Sequence, residues 1–171
     1  MPHRIAVTGS PGVGKSTLVE KITEVMKCRV GGVLARDKRF NGRRIGFELL
    51  DIASGNVGVL ADETGNGPQL GKYRVHLDSL ENIGAKAVQN AIQCDLIVVD
   101  EVGPMELSSR SFISAVENAI ASPKPMLIVL HEWSNHPLAK KIRRTFQVIS
   151  VTRENRDMLV KEIAQALNAE I

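Results

Sequence analysis

The residues best suited to chemistry form a glycine-rich octapeptide near the start of the sequence. Gly9-Ser10-Pro11-Gly12-Val13-Gly14-Lys15-Ser16 fits the Walker A pattern G-x-x-x-x-G-K-[S/T] at every fixed position. Glycines let successive backbone N–H groups point into one concavity and let the chain approach a phosphate closely. A helix predicted to begin near Lys15 adds its unpaired N–H groups and the positive end of its dipole. The pattern therefore predicts a phosphate-binding loop, with a chance glycine turn as the alternative.

Individual roles follow from this pattern. We expect Lys15 to contact the β- and γ-phosphates of a nucleotide, Ser16 to coordinate Mg²⁺, and Thr17 to contact the α-phosphate. The residues whose backbone is predicted to surround the phosphates are Gly9, Ser10, Pro11, Gly12, Val13 and Gly14.

A pair of carboxylates, Asp100 and Glu101, directly follows the apolar run Leu96–Val99. We expect Asp100 to hold the Mg²⁺ through water and to accept a hydrogen bond from Ser16. Ligands of such folds bind at the carboxyl edge of the sheet, which is where Glu101 is expected to lie. A carboxylate there can polarise an attacking water, so Glu101 is a candidate catalytic residue together with Lys15. Alternatively, Glu101 is a structural ion-pair partner of a nearby basic side chain.

Glu106 follows Glu101 by five residues, in a loop predicted before the next helix. Three roles are equally compatible with its position: it orients the attacking water, it binds a nucleotide base, or it begins a helix cap.

An additional cation stabilises the charge that develops during phosphoanhydride hydrolysis. The segment 131–144 connects two late strands, in the place where P-loop kinases have their lid, and it makes Arg143 and Arg144 candidate phosphate clamps and His136 a candidate contact. An ordinary amphipathic helix with a basic outer face is the alternative. Four arginines of a predicted hairpin are weaker candidates: Arg36, Arg39, Arg43 and Arg44.

These residues need a scaffold of alternating strands and helices. Short, apolar, branched segments predict buried parallel strands, and periodic apolar positions predict helices between them. The predicted strands are Arg4–Thr8, Asp95–Val99, Met126–Leu130 and Phe146–Val151; the predicted helices are Lys15–Lys27, Asp78–Gln93, Ser111–Ala121 and Arg153–Asn168. The alternation predicts an α/β fold with a doubly wound, mainly parallel sheet, in a single domain over residues 1–171.

The stretch 29–77 interrupts this alternation. The dipeptide Asn41-Gly42 is a strong hairpin-turn signal, and it lies between the predicted strands Val30–Arg39 and Arg44–Ile52. A further turn leads to Val57–Ala61. We expect an inserted β-hairpin or antiparallel edge at about 29–77.

Composition sets limits on the class of protein. The 171 residues are 43% hydrophobic and 24% charged, as in ordinary soluble proteins, and no apolar run approaches the length of a bilayer span. The glycine loop begins at residue 9, which leaves no room for a signal peptide, and Cys28 and Cys94 form neither a disulfide framework nor a metal site by spacing. A cytoplasmic protein is therefore expected, with a monomer slightly favoured.

The charge is weakly basic, with a net charge of +3. Residues 27–44 hold seven basic side chains against a single acidic one. Such a cluster fits nucleic acid, a polyphosphate substrate or a solvated face. Only six aromatic residues are available for base stacking, so nucleic-acid binding is the less favoured interpretation.

Several motifs together resemble the small P-loop nucleoside-triphosphate phosphatases, a family first described from thermophiles that includes the animal cancer-related nucleoside-triphosphatase. The resemblance covers nearly the full chain and is most specific in Asp-Glu-x-Gly-x-Met-Glu-Leu and Thr-x-Glu-Asn-Arg. The matching segments are 8–17, 32–34, 41–48, 71–77, 99–107, 135–138 and 151–156. Pro104 and His76 depart from the residues usual in the family, but neither departure removes a predicted phosphate or metal ligand.

The resemblance implies a RecA-like fold and slow Mg²⁺-dependent hydrolysis of ATP, GTP, CTP and UTP to nucleoside diphosphate and phosphate, with low base selectivity. The loop that holds Thr152, Arg153, Asn155 and Arg156 is expected either to run beside the base or simply to start the last helix. A guanine-reading Asn-Lys-x-Asp is absent from the sequence. Two alternative functions are a kinase for a nucleoside or small metabolite, and a nucleotide-dependent switch or RNA-associated protein.

Overall fold

One β-sheet organises residues 3–171, the part of the chain that the computed structural model describes. The strands are β1 (Arg4–Thr8), β2 (Val30–Phe40), β3 (Arg43–Asp51), β4 (Val57–Asp62), β5 (Gln69–Leu70), β6 (Tyr73–Val75), β7 (Leu96–Val102), β8 (Met126–Leu130) and β9 (Gln147–Ser150). Their order across the sheet is β5-β6-β4-β3-β2-β7-β8-β1-β9.

The parallel half of the sheet comprises β2, β7, β8, β1 and β9. All five residues of Met126–Leu130 are buried, as expected of a central strand that helices cover on both faces. The four predicted parallel strands are present, and β2 is a fifth. Residues Val30–Val33 pair with β7 before the same strand continues into the hairpin, which is why the sequence pattern alone assigned β2 only to the hairpin.

The antiparallel half of the sheet confirms the edge expected at about 29–77, since β2 to β6 span Val30–Val75. Asn41 and Gly42 join β2 to β3 with φ angles of 49° and 76°. Positive φ at both central residues is the conformation that matches the right-handed twist of paired strands. The Asn-Gly dipeptide therefore sets the position of the hairpin.

Helices cover both faces of the sheet, which confirms the doubly wound α/β fold. They are α1 (Lys15–Val25), α2 (Leu77–Ser79), a π-helical segment (Leu80–Ala85) that continues into α3 (Lys86–Ala91), a 3₁₀ turn (Glu106–Ser108), α4 (Arg110–Ala121), α5 (Pro137–Thr145) and α6 (Arg156–Asn168). Helices α1 and α6 pack on one face, and α3, α4 and α5 pack on the other. Within residues 3–171, none of these helices has the length and hydropathy needed to cross a bilayer.

Two predicted element boundaries are wrong where the site is built. Strand β7 does not stop at Val99 but runs to Val102, because Val102 resumes the pairing with β8 at Leu130. Helix α6 begins at Arg156 rather than Arg153, because Thr152 and Asn155 close a separate turn by hydrogen-bonding each other. As a result, Glu101 lies within β7 and Arg156 is the first residue of α6.

A hydrogen bond between two half-buried side chains, Asp62 and His76, connects β4 to the start of α2. His76 Nε2 lies 2.7 Å from Asp62 Oδ1, which also accepts hydrogen bonds from the Thr64 backbone and hydroxyl. The hydrogen bond from His76 is the largest cause that lowers the pKa of Asp62. Lys38 Nζ lies 3.6 Å from the other carboxylate oxygen. The histidine that departs from the family pattern is thus part of an edge contact of the antiparallel half.

We predict that Asp62→Asn lowers the free energy of unfolding by about 1–2 kcal/mol near neutral pH, since it weakens a charge-assisted hydrogen bond. A carboxylate whose pKa is lowered on folding contributes stability above its ordinary pKa and loses that contribution as the pH falls through the folded value. Urea unfolding should therefore show the difference at about pH 6 and a smaller one at about pH 3. Glu63→Gln, a change at the exposed neighbour, is the control, and an equal loss at both pH values would contradict this account.

Candidate active site

The predicted phosphate-binding loop connects β1 directly to α1. Gly9, Gly12 and Gly14 have φ angles of 153°, 79° and 105°, which side chains with a Cβ rarely adopt. A Cβ on Gly9 would also lie 2.7 Å from the carbonyl oxygen of Val151, so a side chain there would displace the end of β9. The glycines are required by this backbone path, as the sequence pattern indicated.

Lys15, at the first turn of α1, extends its side chain back across the loop. Its Nζ donates hydrogen bonds to the carbonyl oxygens of Gly9 at 2.6 Å and Ser10 at 3.1 Å. The ammonium group is therefore held at the loop by the same residues that are predicted to surround phosphate.

Asp100, on β7, meets Ser16 at the start of α1. The Ser16 hydroxyl donates a hydrogen bond of 3.3 Å to Asp100 Oδ1, although 84 residues separate the two. Asp100 is 1% exposed, and burial, followed by the charge of Glu101, raises its pKa to about 7. The hydrogen bond expected between these two side chains is present, and it brings the two sequence motifs into one site.

The environment of Asp100 fits a divalent cation. Its second carboxylate oxygen, Oδ2, is buried and has no hydrogen-bond partner within residues 3–171. Unpaired buried carboxylate oxygens are costly, and Mg²⁺ prefers carboxylate, hydroxyl and water oxygens as ligands. Asp100 and Ser16 together supply such oxygens.

Glu101 is displaced from the regular strand by a β-bulge. Asp100 pairs with Val129 and Val102 pairs with Leu130, so Glu101 is the extra residue between them. Its carboxylate folds over Gly103, where a Cβ would collide with Oε1. Burial raises the pKa of Glu101, while the nearby charges of His131 and Lys15 act in the opposite direction. The bulge thus places this carboxylate over Gly103 at the end of β7, where the charges of Lys15 and His131 act on it.

Glu106 is the third carboxyl group of the site. It is 4% exposed in the 3₁₀ turn, and its Oε2 is buried without a hydrogen-bond partner in the described residues. Its pKa is raised well above the ordinary value, first by burial and then by the charge of Glu101. The cap of α4 is Ser109, whose hydroxyl accepts from the Phe112 N–H at 3.2 Å, so the helix-cap alternative for Glu106 does not hold.

His131 was not singled out by the sequence. It follows β8, the strand that lies between β1 and β7, and its N–H donates to the Val102 carbonyl at 3.1 Å. The strand order brings the end of β8 next to the end of β7, and the charge of His131 lowers the pKa of Glu101. A histidine after a predicted strand is a weak signal on its own, because the sequence does not reveal which two strands flank it.

Arg143 holds the loop that carries His131. Its guanidinium donates to the carbonyl oxygens of Ser134 at 2.6 Å, Glu132 at 3.1 Å and His131 at 3.2 Å. His136 caps α5 by accepting a hydrogen bond from the Leu138 N–H at 3.1 Å. The structure therefore gives these two candidate phosphate contacts an organising role in the loop.

Helix α5 buries Leu138, Ala139 and Ile142 and exposes Arg144 on its outer side. This is the amphipathic helix with a basic outer face that the sequence left open. On the β2–β3 hairpin, Arg39 and Arg44 lie 2.8 Å and 3.8 Å from Asp37, and Arg36 lies 3.9 Å from Glu48.

The turn between β9 and α6 lies against the other side of the phosphate-binding loop. Arg156 Nη1 donates a hydrogen bond of 3.2 Å to the Val13 carbonyl. A cavity of about 140 Å³ lies between α1 and α6, next to this contact. Its lining residues are Gly14, Thr17, Leu18, Lys21, Arg156, Asp157 and Val160.

Comparison with known proteins identifies the family. Residues 4–164 match the family described as NTPase. The chain belongs to this family. It is 54% identical over 164 residues to nucleoside-triphosphatase THEP1 of Methanosarcina acetivorans, with 94% of each chain covered, and 40% identical to that of Methanopyrus kandleri, with 96% and 95% covered.

Two solved structures share the fold of this NTPase family member. The crystal structure of THEP1 from Aquifex aeolicus has a TM-score of 0.84 and 30% identity, and covers 95% of this chain and 98% of its own. The solution structure of a human cancer-related nucleoside triphosphatase has a TM-score of 0.82 and 33% identity, with 98% of both chains covered. These comparisons confirm the family resemblance inferred from the motifs and the P-loop NTPase fold.

We predict that Gly103→Ala separates catalysis from stability. The added Cβ meets the end of a flexible side chain, Glu101, which can rotate away at little cost to folding. The carboxylate then leaves its position, and we expect turnover to fall about tenfold or more. Phosphate release and thermal unfolding, measured on the same preparation, test this. Unchanged turnover would show that the position of Glu101 over Gly103 is unimportant.

We also predict opposite effects of Asp100→Asn on stability and activity. Above about pH 7 the buried carboxylate is ionised at a cost in desolvation, which the neutral amide avoids while its oxygen still accepts from Ser16. The melting temperature of the metal-free protein should therefore be unchanged or higher at about pH 8. Hydrolysis should fall about a hundredfold or more, since metal ions contribute several kcal/mol to transition states of this kind. A clearly lower melting temperature would contradict the electrostatic part of this argument.

Proposed function

We propose that this chain hydrolyses nucleoside 5′-triphosphates to nucleoside diphosphate and phosphate in a Mg²⁺-dependent reaction. The observation that carries the proposal is the contact between Ser16 and the buried Asp100, which joins the phosphate-binding loop to the carboxylates of β7. Its relatives named as nucleoside-triphosphatases support the same activity.

Binding of the triphosphate is assigned to the loop and α1. In loops of this type the backbone N–H groups point at anionic oxygens; every residue from 9 to 14 except Pro11 carries such a group, and Lys15 adds a positive charge at the terminal phosphates. The ammonium is already held by the Gly9 and Ser10 carbonyls, so it needs little reorganisation to reach the substrate. We assign Thr17, which lines the neighbouring cavity, to the α-phosphate.

Ser16 and Asp100 are the residues proposed to hold the metal. When bound, Mg²⁺ neutralises the charge that develops on the transferred phosphoryl group. The chain's own part is to keep the hydroxyl and the carboxylate in place: Ser16 donates to Asp100 Oδ1, and burial excludes bulk water from the carboxylate.

Glu101 is proposed to polarise the attacking water. A general base needs a pKa between that of a free carboxylate and neutrality, and burial raises the pKa of Glu101 in that direction. The charges of Lys15 and His131 keep the anion accessible. We assign Glu101 and Lys15 as the catalytic residues.

We expect the base of the nucleotide to contribute little to the choice of substrate. The cavity next to the loop is lined partly by the charged side chains Lys21, Arg156 and Asp157, and the guanidinium of Arg156 is engaged by the Val13 carbonyl. We therefore expect ATP, GTP, CTP and UTP all to be substrates. The kinase and switch alternatives are not favoured by the comparisons, whose relatives are named as nucleoside-triphosphatases.

The organisation of the molecule extends the proposal. All strands of residues 3–171 join one sheet, which supports a single catalytic domain over residues 1–171. We propose that this domain acts in the cytoplasm as a monomer.

We predict that Lys15→Ala weakens nucleotide binding and turnover together, whereas Glu101→Gln lowers turnover by about a hundredfold or more with little change in affinity. The lysine contacts substrate in both ground and transition states, but the carboxylate acts only when water attacks. Phosphate release with each of the four nucleotides, with Mg²⁺ and with a chelator, measures turnover, and calorimetry with a non-hydrolysable analogue measures affinity.

The matched control is Glu117→Gln, an equivalent change at an exposed position of α4. Phosphate release by Lys15→Ala or Glu101→Gln at the rate of the unsubstituted protein would overturn the assignment. Transfer of labelled γ-phosphate to an added nucleoside or metabolite, in preference to water, would support a kinase instead.

A further inference from the structure

The turn that precedes α6 is rigidly attached to the strand that leads into the phosphate-binding loop. The Asn155 carboxamide accepts from the Thr152 N–H at 2.8 Å and donates to the Ser150 carbonyl at 2.9 Å, while the Thr152 hydroxyl accepts from the Asn155 N–H at 3.2 Å. Val151 in turn donates to the Thr8 carbonyl at 2.8 Å, one residue before Gly9. The start of α6 therefore has a fixed position relative to the loop.

Arg156 is the first residue of α6, and its side chain lies along the loop. Besides the 3.2 Å hydrogen bond to the Val13 carbonyl, its Nη1 lies 3.1 Å from the place where a Cβ on Gly14 would be, and its Cδ lies 3.5 Å from it. The side chain thus covers the Cα of Gly14, the glycine that ends the loop with a φ of 105°. These contacts join residues 143 positions apart in the sequence.

The hydrogen bond from Arg156 to the Val13 carbonyl also affects the Gly14 N–H, because both groups belong to the same peptide unit. A trans peptide is planar, and its C=O and N–H point in opposite directions. An arginine that fixes the Val13 carbonyl on the α6 side therefore fixes the Gly14 N–H toward the side away from α6, and N–H groups of loops of this type receive phosphate oxygens. Without the arginine, little would prevent this peptide unit from rotating, because the glycine that follows it allows a wide range of backbone angles.

We propose that Arg156 is a positioning residue of the phosphate-binding loop: through the Val13 carbonyl, it sets the orientation of the Gly14 N–H that receives the phosphate chain of the substrate. This inference rests on the proposed function. It replaces the expectation of a base contact for Arg156 with a contact that is independent of the base. Substrates with different bases then gain equally from it.

A polyphosphate without a base distinguishes the two roles of Arg156. We would measure by calorimetry the affinity of the protein for Mg·ADP, Mg·GDP and Mg·tripolyphosphate, before and after Arg156→Ala. A positioning residue acts on the phosphate chain, so the three dissociation constants should rise by the same factor, about tenfold, which corresponds to about 1.4 kcal/mol. The KM for ATP should rise by a similar factor with kcat nearly unchanged, because the loop binds the ground state and the transition state alike.

Two further variants complete the design. Arg156→Lys keeps a donor near the carbonyl and should recover part of the affinity; it also serves if the alanine variant does not fold. Lys161→Ala removes a positive charge from an exposed position of the same helix and should leave all three dissociation constants unchanged. Thermal unfolding of each variant separates loss of loop geometry from loss of the fold.

Each outcome has one meaning. Weaker binding of the nucleotides with unchanged binding of tripolyphosphate would overturn the inference in favour of a contact to the base or ribose. Equal binding by Arg156→Ala and the unsubstituted protein would overturn it outright. Failure of the unsubstituted protein to bind any of the three would instead overturn the proposed function.

Discussion

The hydrogen bond between Ser16 and the buried carboxylate of Asp100 is the interaction on which the rest of the site depends. It exists because β1 and β7 are parallel and therefore end at the same edge of the sheet, on either side of β8. A buried carboxylate with an unpaired oxygen is unfavourable by itself, as the raised pKa of Asp100 shows. The fold keeps this carboxylate where a bound cation would compensate its charge, so part of the stability of the protein without the cation is given up for binding.

The other carboxyl groups of the site add to the cost of burying negative charge there. Glu101 and Glu106 are both near Asp100, both have a raised pKa, and burial is the largest cause for each. The β-bulge at Glu101 allows the side chains of two adjacent residues to belong to one site. Asp100 accepts a hydrogen bond from the serine of α1, while Glu101 lies over Gly103, where the charges of Lys15 and His131 act on it. A regular strand would direct the two side chains to opposite faces of the sheet.

How much of this could be predicted from the sequence depends on the range of each contact. The loop 9–16 is local, with its strand before it and its helix after it, so its residues could be assigned directly. The position of β8 between β1 and β7 could not be predicted from the sequence. For that reason the sequence did not indicate that the residue after β8, His131, would act on Glu101. Arg143 could be recognised only as a basic residue in a lid-like segment, since nothing in the sequence shows that three loop carbonyls surround its guanidinium. The burial of Glu106 was equally invisible, because a glutamate in a short loop is usually solvated.

The same geometry supports the proposal that the site binds the phosphate chain of a substrate rather than its base. The carboxylates on β7 approach the loop from one side, and the turn between β9 and α6 approaches it from the other, so the loop is fixed by contacts on both flanks. Every one of these contacts ends on the loop backbone or on a residue at the start of α1. A site whose rigid parts all converge on the phosphates has its binding energy concentrated there, and discrimination between bases then requires additional groups that this edge of the sheet does not need for hydrolysis.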